Sequence, residues 1–349
     1  LLFKHINNVK KEDQLLLLCV IISCFVPNIA HPVLYLYGPH GAAKTTSSKS
    51  IKMLTDPSVL ETVDFPKDKK EFIQQLDHSW SLMFDNTGYI SHEYSDLLCR
   101  VVSGGGFVKR ELHSDDDDII YAFKRCIGIN GINLLALKPD LLERCVLVEL
   151  ERVLVEKRQE EQAIWNGFKA DLPMIFGGVL DTLSKAMAIK PTLKMDNLPR
   201  MADFALWGCA ISQALGYTPA DFMTAYQRNI DMQQDVMLNE SLEASLILEL
   251  MKDKTEWRDT PTKLLEELKF LANEDQRRTL PTDAKVLSRK LGILTATLAD
   301  AGIILERIPG RVRQIILRKQ RENVASVALS LPNEGSSDLF DPSKILNTL

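Results

Sequence analysis

Short, mainly apolar runs alternate with amphipathic stretches over the first 150 residues. The runs are Val33–Tyr37, Val59–Val63, Trp80–Phe84, Cys126–Ile129 and Cys145–Leu150. Runs of four to six apolar residues between helical segments predict parallel strands buried on both faces. Ahead of them, residues 1–30 read as a helical segment closed by Pro27 and Asn28. From 153 to 252 the period becomes helical throughout, with helices expected over Glu156–Phe168, Leu172–Ala188, Pro199–Leu215, Pro219–Gln233 and Leu242–Met251. The charged stretch Asp253–Asp259 reads as a linker. Beyond it come two or three helices, then Ile303–Ile308 and Arg311–Leu317 about a Pro309-Gly310 turn, the pattern of a hairpin. The fold class expected is α/β: a parallel-sheet core over 31–153, a helical region over 154–252, a small C-terminal domain over 260–321 and a polar tail over 322–349.

The chemistry concentrates where the first strand ends. Val33–Tyr37 runs into Gly38-Pro39-His40-Gly41-Ala42-Ala43-Lys44-Thr45-Thr46, a strand, a Gly-containing loop and a helix start. Backbone N–H groups in such a loop and at the helix N-terminus bind phosphate oxygens. Lys44 is placed to bridge the terminal phosphates, and the Thr45 hydroxyl to ligate Mg²⁺. The spacing fits GxxxxGK[ST] except that Ala43 stands where glycine is usual. Its methyl group requires dihedrals open to an L-residue, with Gly41 as the alternative source of flexibility. About 40 residues on, Trp80-Ser-Leu-Met-Phe-Asp-Asn86 is an apolar strand ending in Asp85, a second candidate Mg²⁺ ligand. Asn86 follows where an acid often sits; an amide orients water but cannot take its proton.

Composition excludes little. The 349 residues are 45% apolar and 26% charged, as in ordinary folded domains, and the net charge is −5. That net value conceals a basic end. From Thr279 to Arg321 there are nine Lys or Arg against three acids, Asp283, Asp300 and Glu306. Six cysteines without a CxxC pair predict reduced core thiols, and the histidine spacing suits no zinc site. Leu15–Val26 is continuously apolar but too short for the roughly 20 residues of a membrane span. No membrane association is expected, and the cytoplasm is the expected compartment. The chain opens on Leu1 rather than Met, which leads us to expect a piece of a longer protein.

The ordered set GPHGAAKTT, SLMFDNTGYIS, LLCRVVSGGGFVKRELHSDDDD, RCIGINGINLLALKPDLLERCVLVEL, LPRMADFALWG and LPTDAKVLSRKLGIL…GIILERIPGRVRQIILRK resembles AAA+ helicases of the superfamily 3 and minichromosome-maintenance-like kind. The likeness is greatest to the helicase part of primase–helicases and replication proteins of phages, plasmids and genomic islands, and it covers roughly residues 30–320. The resemblance implies an AAA+ P-loop core, a helical lid, a C-terminal winged helix, ATP and Mg²⁺ as cofactors, and a ring-forming, hexameric DNA helicase acting on single-stranded or forked DNA. A primase domain or partner belongs to that picture.

It also assigns roles. Asn130 matches sensor 1, Arg144 the arginine finger that reaches a neighbour's nucleotide, and Arg200 a sensor 2 arginine; each would stabilise charge on the γ-phosphate. Against these stand plainer readings: a turn at Asn130-Gly131, a helix C-terminal cap at Arg144, a surface helix arginine at Arg200. Phe107–Leu112 and Ile119–Phe123 match the hairpin that projects into the channel, with Lys109, Arg110, Lys124 and Arg125 as candidate phosphate contacts or subunit-interface residues. The alternative there is a solvated charged hairpin. In the basic C-terminal domain Arg289, Lys290, Arg311 and Arg313 are the candidate DNA contacts, or else that domain docks protein. Two further functions remain open: a nucleotide-switched DNA-binding or helicase-loader ATPase, and a defence or signalling ATPase.

Overall fold

The structure, a computed structural model, describes residues 1–7, 10–110, 118–122, 124–132, 138–308, 310 and 313–320; within some of these elements the backbone alone is described. The chain divides into two compact units, Leu1–Asn229 and the described part of Ile230–Val327.

The first unit is built on four parallel strands. In chain order it comprises α1 (Lys11–Ser23), β1 (Val33–Tyr37), α2 (Lys44–Thr55), α3 (Lys69–His78), β2 (Ser81–Phe84), α4 (His92–Ser103), β3 (Gly106–Arg110), β4 (Asp118–Ala122), β5 (Cys126–Gly131), α5 (Pro139–Leu142), β6 (Cys145–Glu149), α6 (Glu161–Ile189), α7 (Ala202–Ala214) and α8 (Pro219–Glu240). The strand order is β2-β5-β1-β6, with Leu34 opposite Gly128, Val33 opposite Cys145 and Ser81 opposite Cys126. Every residue of β2 and β5 is buried, as are four of five in β1 and in β6. This two-sided burial explains why these segments read as continuous apolar runs instead of alternating ones.

The outer edges are finished by side chains. Asn229 of α8 lies against β6, its amide donating to Leu147 O and its Oδ1 accepting from Leu147 N. At the start of β2, Asp56 accepts from the N–H groups of Trp80 and Ser81, and the nearly buried Lys52 donates to Asp56 (2.7 Å) and to Ser81 O (2.7 Å). Burial raises the Asp56 pKa, but the Lys52 hydrogen bond and the two backbone donors outweigh it and hold the carboxyl below its ordinary range.

Two expectations fail in this unit. Val59–Val63 is not a strand: only Val63 bridges to Phe84, while Val59 and Leu60 are exposed. An apolar run at the sheet's outer edge has one neighbour to pair with and nothing to bury its other side, so it pairs at a single residue. The two helices expected over 156–188 are one helix, α6, with Pro173 inside it. By length and composition the stretch Glu161–Thr192 is long and apolar enough to cross a membrane, although only Leu15–Val26 attracted that test in the sequence. All six cysteines are free and buried. Of the helices expected over 154–252, α6 and α7 pack with α1 in the first unit, and the boundary between units falls within α8.

The second unit continues from α8 with α9 (Leu242–Leu250), β7 (Glu256–Asp259), α10 (Pro261–Leu271), α11 (Glu274–Thr279), α12 (Ala284–Ile293), α13 (Thr295–Asp300), β8 (Ile303–Ile308) and β9 (Gln314–Lys319). Its three-stranded antiparallel sheet has the order β7-β9-β8. The presumed linker Asp253–Asp259 therefore contains a strand: Trp257, buried among charged neighbours, sits opposite Leu317 and joins the core of Leu264, Leu268, Leu287, Leu291 and Leu298. α9 contributes Ala244, Leu246, Ile247 and Leu250 to the same core, which is why residues expected in the helical region belong here. The strands expected to form the hairpin pair as β8 and β9, while Pro309, Arg311 and Val312 at its turn, and the tail 322–349, lie outside the described residues.

Candidate functional site

The Gly38–Thr46 loop leaves β1 at the centre of the sheet and is fixed on both flanks. Gly38 N donates to Ile132 O (3.3 Å), just past the end of β5. On the other flank Leu150 N donates to Tyr37 O (2.8 Å) and Val153 N to Gly41 O (2.9 Å). Gly38 is obligatory: at φ +149° a Cβ would stand 2.1 Å from Leu150 O. The departure at position 43 takes a definite form. Ala43 has φ 59° and ψ 31°, the left-handed helical region, so the alanine adopts a glycine-like backbone instead of an L-favoured one, and Gly41 is also at positive φ.

α2 begins at Lys44 with no side-chain cap at its N-terminus, leaving its first-turn N–H groups directed at the loop. Lys44 Nζ folds back to Gly38 O (2.7 Å) and Pro39 O (2.9 Å); burial lowers its pKa and Asp85 opposes that shift. Thr45 Oγ1 donates to Asp85 Oδ1 at 2.9 Å, across 40 residues of sequence. The loop lysine, the helix-start hydroxyl and the carboxylate at the end of β2 thus lie together.

A second layer sits beneath them. Asn130, 1% exposed near the end of β5, accepts at Oδ1 from Asn86 N (2.9 Å) and donates from Nδ2 to Ser48 Oγ of α2 (2.9 Å). Its backbone carbonyl accepts from Thr87 N (2.9 Å). Asn130 therefore connects α2 to the turn after β2, a more specific arrangement than a simple turn. Asn86 is itself at positive φ (48°) with an exposed side chain. The sequence did not single out Ser48, and its signal, one helical turn beyond Lys44, is legible only once Asn130 is known to face it.

Arg144 and Arg200 converge on each other, held by acids. Arg144 pairs with Asp140 of α5 (2.7 Å), and Arg200, two residues before α7, pairs with Asp140 and with Glu143. Burial raises the Asp140 pKa, but the hydrogen bonds from Arg144 and Cys99 and the charges of Arg144 and Arg200 outweigh it and leave it lowered. Neither Asp140 nor Glu143 was anticipated.

The basic candidates fare unevenly. Lys124 and Lys290 each have a partner within the chain. Lys124 Nζ donates to Asn28 O (2.7 Å), and Lys290 Nζ binds the buried Glu243 carboxylate at 2.6 Å, tying α12 to α9. Arg125 donates to Leu76 O and lies over the Trp80 ring. Lys109 and Arg110 fall on β3, which pairs antiparallel with β4, but their side chains are not described; Arg311 lies outside the described residues. Arg289 and Arg313 are exposed, as is Lys285 one turn before Arg289 on α12, and among the described residues none of the three is in an ion pair.

In sequence, a family model described as actinomycete integrative conjugative element replication protein matches residues 1–236, and a second, the AICE RepA C-terminal domain, matches residues 244–332. No curated protein matches. Among solved structures, the apo C-terminal region of NrS-1 aligns at a TM-score of 0.39 and 9% identity, over 92% of this chain and 74% of that one. An A-form apo structure of that region gives 0.38 and 11%, over 91% and 78%. JCV helicase bound to a thiazolopyridine acetamide gives 0.26 and 14%, over 70% and 66%.

Proposed function

Because this chain belongs to the replication proteins of actinomycete integrative conjugative elements, we propose that it is the ATP-driven motor of that replication, a DNA helicase that works as a ring. The observation that carries the reading is the 2.9 Å bond between Thr45 Oγ1 and Asp85 Oδ1, with Lys44 beside it on an uncapped helix start. This donor set suits Mg²⁺ with a nucleoside triphosphate: a hydroxyl and a carboxylate for the cation, an ammonium and free amides for the phosphates. The strand order supports an AAA+ core, since the loop strand β1 lies between the Asn130 strand β5 and β6, with β2 next beyond β5.

Bound MgATP would supply the phosphoanhydride bond whose hydrolysis drives movement. The chain's own residues position it. Lys44, now on the carbonyls of Gly38 and Pro39, would hold phosphate oxygens, and Thr45 and Asp85 would hold the cation. Asn130 holds the Asn86 turn against α2, so the amide of Asn86 orients water without accepting its proton. Arg144 and Arg200, joined through Asp140, would reach a neighbouring subunit's nucleotide by giving up Asp140 and Glu143. The helices and sheet of the second unit form a winged helix whose Lys285, Arg289 and Arg313 meet DNA phosphates. ATP turnover and strand separation on forked DNA, measured for the wild type and Lys44→Ala, test this. We expect DNA-stimulated turnover and unwinding that Lys44→Ala abolishes; unwinding by Lys44→Ala at the wild-type rate refutes the mechanism.

Asn86, with no acid at that position, favours a second reading: a nucleotide-switched DNA-binding protein. It requires nucleotide-dependent assembly with turnover near background, so fast steady-state hydrolysis excludes it.

A further inference from the structure

We propose that Arg152 is an additional phosphate-binding residue of the Gly38–Thr46 loop, an inference that rests on the nucleotide reading above. After β6 ends at Glu149 the chain stays with the loop: Leu150 N donates to Tyr37 O and Val153 N to Gly41 O. Between these two anchors the Arg152 side chain lies over Gly41. Its Cγ and Nε are each 3.9 Å from the point where a Gly41 Cβ would stand. Gly41, at φ +76°, leaves open the space along which the arginine stem runs.

Arg152 is exposed, and among the described residues its guanidinium makes no hydrogen bond and no ion pair. The nearby Glu149 carboxylate is taken by Lys10 at 3.0 Å. The arginines expected to act on phosphate, Arg144 and Arg200, are by contrast saturated by Asp140 and Glu143. Arg152 is therefore the arginine that already stands at this loop without a counter-ion. Its backbone is held beside the loop by the Val153 N to Gly41 O bond, so less ordering is needed before it binds. A guanidinium presents planar paired donors suited to phosphate oxygens, and water screens it less beside the loop's own amides. The ligand is the polyphosphate of a nucleoside di- or triphosphate bound by this same subunit, in contrast to the action of Arg144 and Arg200 on a neighbour's.

The inference is tested by equilibrium binding of a fluorescent ADP analogue with Mg²⁺ to the full chain, wild type, Arg152→Ala and Arg152→Lys, with unlabelled ATP, pyrophosphate and adenosine as competitors. We expect Arg152→Ala to weaken ADP, ATP and pyrophosphate about tenfold, the loss of one charged hydrogen bond. Arg152→Lys should recover part of that loss, adenosine competition should be unchanged, and the thermal midpoint without nucleotide should stay at the wild-type value. Wild-type binding with unchanged affinity in Arg152→Ala overturns this inference alone. An equal loss for adenosine also overturns it, since the contact would then be to the base or ribose. Absence of any binding by the wild type overturns the nucleotide reading, and this inference with it.

Discussion

Asn130 joins α2 to the turn after β2, which the Thr45–Asp85 bond also links, and its replacement measures how much of the site is held by the amide. Asn130→Ala removes the acceptor for Asn86 N and the donor to Ser48 Oγ, both at 2.9 Å. Each bond contributes about 1 kcal/mol net. The Ser48 hydroxyl is 2% exposed, so it also loses access to a replacement partner, at a further ~1 kcal/mol. The Asn86 turn is open to solvent, where water can take over as acceptor. The total is about 2–3 kcal/mol. Ser48→Ala removes only the second bond and should cost about 1 kcal/mol, and the double mutant should fall short of the sum by about 2 kcal/mol because the pair shares one bond and no Ser48 hydroxyl is left stranded. Urea unfolding followed by circular dichroism gives these values as shifts in midpoint at constant slope. A midpoint for Asn130→Ala within error of the wild type, or strict additivity of the two substitutions, would show that the bridge is not formed in solution.

Other expectations concern backbone, pH and charge. Ala43 sits in the left-handed region at a cost of about 1 kcal/mol to an L-residue, so Ala43→Gly should leave stability equal or raised and Ala43→Val should lower it by more than 1 kcal/mol; equal melting of Ala43→Val and wild type would contradict this. Asp56 has a lowered folded pKa, so its contribution is complete above the unfolded carboxyl value near ~4 and is lost as pH falls through the lower folded value. Stability measured from pH 6 to 2 should therefore show an acid-side slope that Asp56→Asn reduces, and an identical slope in the variant would remove the assignment. Lys290→Met strands the buried Glu243 carboxylate and should destabilise the second unit by on the order of 1–3 kcal/mol while leaving DNA affinity of the folded chain intact. Arg289→Ala should do the reverse, weakening DNA binding at unchanged melting temperature; the opposite pairing of effects would overturn the division of roles.

What the sequence made legible follows from how local each signal is. β1, β2, β5 and β6 announce themselves because burial on both faces leaves apolar residues at most positions, with polar ones such as Ser81, Asn130 and Glu149 only at or next to strand ends. The loop at Gly38–Thr46 is equally plain, since its chemistry lies in nine consecutive residues. β7 was missed because one tryptophan between Glu256 and Arg258 carries no periodicity; it becomes a strand only by pairing with β9, some sixty residues on. Val59–Val63 failed in the opposite sense, apolar in composition yet placed where a single partner strand ends. The acids beside Arg144 and Arg200, and the approach of Arg152 to Gly41, were not legible at all. Each depends on a register that brings together residues from separate elements.

Charge gives the same lesson with a physical consequence. Nine basic residues against three acids describes the C-terminal segment as strongly cationic. Folding spends much of that excess internally and imports acids from outside the segment: Arg318 binds Glu256 and Glu306, Lys290 binds Glu243, and Arg307 donates to Ser288 O. Lys285, Arg289 and Arg313 stand outside these pairs. A phosphate-binding surface is made by cations whose partners are absent, because only those release counter-ions from the nucleic acid when they meet it. If these three described cations meet phosphate, as the proposed function has it, they give a salt dependence of slope about −2.7, against about −5 for the segment's whole excess of six. On that reading the pairing pattern among the described residues, more than the composition, sets how strongly this unit would hold DNA.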